Sequence, residues 1–200
     1  MRTKVRQKRT NAEWSAETRN SLLATAQHAF EVEGYADTSI ERVASAAHLT
    51  KGAVYHHYTD KRALFQAVFE VVEEELVAAI ERVALSQPSP FDGVVTGCEA
   101  FLDAVLQERV ARIVLIDGPR VLGWKAWRKI DADTGGRSLR QGLQAAMKAR
   151  QIVRLDTDAL TTLISGALNE AALMCAEVPS PLRRKAVSKS LKRLLHGLRP

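Results

Sequence analysis

The sequence predicts an all-α protein: an N-terminal three-helix unit containing a helix-turn-helix, followed by a larger helical domain. Three observations carry this prediction. Apolar residues recur at helical spacing along most of the chain, as in Leu64, Val68, Val72, Leu76, Ile80 and Val83. Ser, Thr or Asp stands ahead of several such stripes, with Gly or Pro behind them. Finally, Thr38 to Lys61 reads as two short helices joined by a tight turn.

Taken in order, residues 1–14 form a basic arm expected to be flexible. Arg2, Lys4, Arg6, Lys8 and Arg9 face no acid there, within a chain of net charge +6. Such an arm is either a solvated end or a source of phosphate and minor-groove contacts. A helix then runs from Ser15 or Ala16 to Glu33. Leu22, Leu23, Ala26 and Phe30 lie on one side, and Gly34 ends it. Thr38-Ser39-Ile40-Glu41 fits a capping box, with Thr38 as the cap and Glu41 reaching back. Ile40, Val43, Ala44 and Ala47 give the next helix its apolar face. Ala47-His48-Leu49 makes the turn, and Thr50 caps the following helix, in which Val54 and Tyr58 share a face.

The rest of that second helix is suited to DNA. Gly52 and Ala53 are nearly bare, so backbone can approach base edges in a major groove. Lys51 can donate to guanine or phosphate, and Tyr55 and His56 to phosphate. The string Leu49-Thr50-Lys51-Gly52-Ala53-Val54-Tyr55-His56-His57-Tyr58, followed by Lys61, closely resembles the DNA-binding signature of the TetR family of one-component regulators. The resemblance runs from about Ser15 to Phe69. It implies that Tyr55, His56 and Lys61 touch the phosphate backbone, that Lys51, Gly52 and Ala53 face bases, and that Thr38 caps its helix and meets a phosphate. It departs at the turn, where the family's usual glycine is His48. Histidine takes a positive φ only occasionally, so the aim of the recognition helix is open there.

Asp60 or Thr59 caps a helix from Lys61 to about Leu85. Lys61 in its first turn opposes the helix dipole, which favours a phosphate role over a structural one. The domains are therefore set at 15–62 for DNA binding and 63–200 for effector binding and dimerisation. Ser89 as cap, Pro90 at the first helical position and Asp92 open the next helix, which carries Val94, Cys98, Phe101, Leu102 and Val105. Ile113 to Ile116 reads as a short helix stopped by Gly118-Pro119. Asp131 and Asp133 look like a solvated turn before a break at Gly135-Gly136, and helical spacing resumes from Ser138 to Arg150. Asp156-Thr157-Asp158 and Ser180-Pro181 open the last two helices. Their wide apolar faces suit a four-helix seam between two copies, and the resemblance to the TetR family points the same way.

A small-molecule effector would sit between helices of the second domain. The candidates are polar and aromatic residues in apolar surroundings: Phe101, Asp117, Arg120, Trp124, Trp127 and Met147, with Asn169, Glu170 and Met174 on the next helix. Enzyme signatures are missing: no Gly-rich phosphate loop, G-x-S-x-G elbow or His-Glu-x-x-His occurs. No cofactor or metal is expected. Cys98 and Cys175 lie far apart in apolar patterns and read as buried free thiols. No run of 18 apolar residues and no leader pattern is evident, so a cytoplasmic location is expected. The sequence thus predicts a homodimeric regulator, a repressor released from a quasi-palindromic double-stranded operator by a small molecule. The competing reading is a helical small-molecule-binding or enzymatic dimer whose N-terminal unit no longer reads DNA.

Overall fold

The computed structural model of the chain describes residues 11–178 and 180–200, with side chains from Ala16 onward. The described residues form helices and no strand, and the chain divides into two compact units, residues 1–68 and 69–200. The five basic side chains of the expected arm lie outside the described residues. Asn11 to Trp14, also assigned to the arm, belong to the first helix.

In the first unit, α1 (Asn11–Asp37) carries a break at Gly34, whose φ of +81° ends regular helix where the sequence places the stop. Two short helices follow, α2 (Ile40–Ala46) and α3 (Lys51–His57), and then the opening turns of α4 (Lys61–Leu85). Leu22, Ala26, Phe30, Val54, Leu64 and Phe65 are fully buried at the centre. Phe30 and Tyr35 each meet Phe65 edge-on at 5.2 Å. The cap of α2 differs from the expected one. Ser39 Oγ accepts from the Arg42 amide at 3.2 Å, while Thr38 is only 2% exposed and its hydroxyl donates to the Gly34 carbonyl at 2.8 Å. Both residue types cap well, and burial of Thr38 against the end of α1 leaves the role to its neighbour.

The α2–α3 turn closes as a Schellman motif. The Leu49 amide donates to Ala44 and the His48 amide to Ser45, at 2.8 and 3.1 Å. His48 takes the left-handed position with φ +56°. The turn therefore keeps the geometry that glycine normally provides, despite its Cβ. Thr50 caps α3 as expected, accepting from the Ala53 amide at 3.1 Å.

The second unit contains the rest of α4, α5 (Pro90–Val105), α6 (Glu108–Ala111), α7 (Gly118–Leu122), α8 (Trp124–Asp131), α9 (Arg137–Lys148), α10 (Thr157–Glu177) and α11 (Pro181–His196). Ser89, Asp156 and Ser180 cap α5, α10 and α11 through their side chains. Two joints depart from expectation. Gly118-Pro119 does not stop its helix, because a wide π-helical segment, Arg112–Asp117, feeds directly into α7. A widened turn tolerates the missing proline donor and its ring. The stop comes at Gly123, with φ +79°. Gly118 serves close packing instead: a Cβ there would lie 2.7 Å from the Phe69 ring. Likewise Gly135-Gly136 is no break, since a second π-helical segment, Ala132–Gly136, joins α8 to α9. By length and composition α10 is apolar enough to cross a membrane. In this unit one side of it packs on α5 and α9.

Candidate DNA-contacting face and ligand cavity

In α3, Val54 is fully buried and Tyr58 nearly so. These anchors turn Lys51, Gly52, Tyr55 and His56 outward, with Ala53 half-buried and Thr50 exposed at the cap. Tyr55 keeps 44% of its surface. The outward face is small at its leading end and carries donors behind, a shape that fits a major groove. Lys51 is already engaged: its ammonium pairs with Glu41 of α2 and lies 5.8 Å from the Tyr55 ring. That hydrogen bond holds the Lys51 pKa above its ordinary value and the Glu41 pKa below its own.

Lys61 departs from the expectation that it gains little from the fold. Its Nζ donates to the carbonyls of Tyr35, Ala36 and Thr38 at 2.7, 3.2 and 2.8 Å, and lies 4.3 Å from the Tyr35 ring centroid. It binds the carbonyl-rich end of α1, where a cation is favoured, even though it opposes the dipole of its own helix. Thr38 is likewise turned inward. Of the residues expected to touch DNA, Thr50, Lys51, Gly52, Tyr55 and His56 are exposed, Ala53 is half-buried, Thr38 is buried, and Lys61 donates to backbone carbonyls.

The second unit encloses a cavity of about 560 Å³. Val77 and Ile80 of α4, Val94 and Phe101 of α5, Leu139 of α9 and Leu168 of α10 form its apolar wall. At its polar part, Asp131, Ser165 and Asn169 converge. Asp131 is no solvated turn. It is 8% exposed, and its Oδ2 accepts from Arg128 Nη1 at 2.9 Å, Ser165 Oγ at 3.3 Å and Asn169 Nδ2 at 3.4 Å. Burial raises its pKa, and Arg128, Asn169 and Ser165 pull it back. A second buried carboxyl, Glu73, is 4% exposed and meets the Thr134 hydroxyl at 3.1 Å. Burial first, then the nearby Asp131, push it up to about 7, against the Thr134 hydrogen bond.

Of the sequence candidates, Phe101 and Asn169 line this cavity. The others do not. Trp127 is core, its indole N–H donating to the Val114 carbonyl at 2.9 Å. Trp124 stands 68% exposed against it. Arg120 and Glu170 point to solvent, and Asp117 and Met147 are half-buried elsewhere. Met174 borders a separate groove between α10 and α11. Spacing within one helix could not separate these cases, because facing the cavity depends on which neighbour covers each side. In the sequence Asp131 reads as part of a turn and Ser165 as an ordinary small helix residue, because their partnership spans 34 residues. Cys98 and Cys175 are free and buried, as expected.

With this geometry in hand, the comparisons are specific. Residues 22–68 match the family described as bacterial regulatory proteins, tetR family, and residues 91–198 match the tetracyclin repressor-like C-terminal domain. A TetR-family transcriptional regulator of Pectobacterium atrosepticum, known from its crystal structure, is 35% identical with a TM-score of 0.84; 95% of this chain and 97% of that one are covered. The transposon Tn10 TetC protein of Escherichia coli is 24% identical over 74% of this chain and 75% of its own length. The probable acrEF/envCD operon repressor of Escherichia coli K12 is 34% identical, but over 40% of this chain and 39% of its own length.

Proposed function

From the premise that this chain belongs to the TetR family of bacterial regulatory proteins, we propose that it binds a quasi-palindromic operator as a homodimer and leaves it when a small molecule fills the α4–α5–α9–α10 cavity. It is a DNA-binding transcriptional regulator of the repressor type. The observation that carries the DNA-contacting face is α3 itself: anchored by Val54 and Tyr58, bare at Gly52, and outward at Lys51, Tyr55 and His56. Two copies of α3 would enter successive major grooves roughly 34 Å apart. Lys51, Gly52 and Ala53 are assigned to base edges, and Tyr55 and His56 to phosphates. Thr38 and Lys61 are assigned to holding the helix-turn-helix on α1.

The cavity supports ligand control. Its volume falls in the range of small-molecule sites, and it is mostly apolar with a few convergent polar groups. A ligand shifts DNA affinity only by preferring the state that does not bind DNA. Helix α4 is the covalent route for that preference: Val77 and Ile80 line the cavity, and Lys61 holds the end of α1.

Fluorescence anisotropy on DNA from upstream of the chain's own gene tests the reading. Salt-sensitive, sequence-specific binding is expected. Tyr55→Phe should weaken binding to every sequence alike, whereas Lys51→Ala should also change operator preference. Equal affinity for random DNA at physiological salt would overturn it.

A further inference from the structure

The charge pattern of the cavity goes beyond its volume. Its lining contains no Lys, Arg or His; its charged members are Asp131 and Glu81. Glu73, hydrogen-bonded to Thr134, adds a second buried carboxyl near Asp131, and one guanidinium, Arg128, pairs with Asp131. An anionic molecule would meet two acids and no lining cation. A neutral apolar one would leave Asp131 facing hydrocarbon.

We propose that this cavity selects a lipophilic cation, its apolar body between α4, α5 and α9 and an ammonium-type head against Asp131 and Asn169. The inference rests on reading the cavity as the effector site and names the chemistry that site takes. Asp131 is well placed for the head. It is buried, it lines the cavity, and its known partners all meet Oδ2. A carboxylate has lone pairs to spare, and Oδ1 can accept from an N–H. Asn169 spends its Nδ2 on Asp131, and its amide oxygen remains an acceptor. Thus Asp131 and Asn169 together offer two acceptors to the ligand. Glu73 gives the charge somewhere to settle. Its Oε2 accepts from the Thr134 hydroxyl at 3.1 Å, while burial favours its neutral form. A cation at Asp131 favours ionised Glu73. Phe101 lies in the apolar wall beside the proposed ligand.

The test uses three probes of one shape and different charge: 6-phenylhexylamine, 6-phenylhexanol and 7-phenylheptanoate. Each is titrated into the full-length protein at pH 7 by calorimetry. The amine should bind about tenfold tighter than the alcohol, and the carboxylate weakest. Asp131→Asn, nearly isosteric, should erase the amine's advantage over the alcohol. A carboxylate that binds best, three equal affinities, no binding by the amine, or an amine preference that survives in Asp131→Asn would each overturn the inference. The wild-type ranking decides the matter even if the variant fails to fold. Operator release is scored separately, by anisotropy with each probe present. An amine that binds as expected yet leaves the operator complex intact would overturn ligand release and leave the charge selectivity standing.

Discussion

Lys61 shows how a residue's structural partners can lie outside the helix in which it is read. In α4 its charge opposes the dipole, and sequence distance hides that the end of α1 lies within reach. Three charge-assisted hydrogen bonds to backbone make it a clamp between α1 and α4. Lys61→Ala should cost roughly 1.5–3 kcal/mol of stability, read from urea denaturation, along with a loss of operator affinity. Unchanged stability with lost affinity would return Lys61 to a direct phosphate role. The Glu41–Lys51 pair makes the opposite point. It holds the outward Lys51 ammonium beside an acid that a polyanion repels. Glu41→Gln should tighten DNA binding by about two- to fivefold near 0.1 M salt, with a shrinking effect as salt rises. Weaker binding would mean that Glu41 positions Lys51 for its contact. Thr50 was legible as a cap because its partner is three residues away. The choice between Ser39 and Thr38 was not, because the end of α1 decided it.

At the scale of elements, start signals were the most readable feature. Thr50, Asp60, Ser89, Asp156 and Ser180 all accept from an amide in the first turn of the helix they precede. Stops were less readable where packing competed with local preference. Pro119 and the Gly135-Gly136 pair are breakers by themselves, yet each lies in or beside a π-helical segment that keeps the chain helical. The last two helices expose Leu163 and Leu194 at 71% and 69%, with Leu182 also open. Such a face costs free energy in water unless a second copy covers it. Leu163→Glu with Leu194→Glu should shift the protein from dimer to monomer in sedimentation velocity and weaken operator binding through loss of the paired α3 helices. A double variant that stays dimeric would place the seam elsewhere.

The stability of the whole molecule should register the buried acids. Glu73 has its folded-state pKa at about 7, above its ordinary 4.5. Between those values the folded state binds more protons than the unfolded one, so stability is fully present below 4.5 and is lost as pH rises through 7. Asp131, also raised by burial, acts in the same direction. Glu73→Gln stays neutral throughout. It should match the parent near pH 4.5 and exceed it at pH 8 by at most roughly 3 kcal/mol. Urea midpoints across that range check the prediction. Parallel curves for parent and variant would show that Glu73 is not the group that titrates.

The amino-acid order alone determined the fold class, the helix-turn-helix, most helix starts and the bare, donor-bearing face of α3. Each of these depends on residues within one or two helical turns of each other, where spacing and side-chain chemistry are sufficient. Tertiary structure decided what Lys61 holds, that Thr38 turns inward, and which residues reach the cavity. Asp131 meets Asn169 across 38 positions, and Glu73 meets Thr134 across 61. Pairings at that separation depend on how whole helices stack, and a buried carboxyl is recognisable only once the surfaces that exclude water from it are in place.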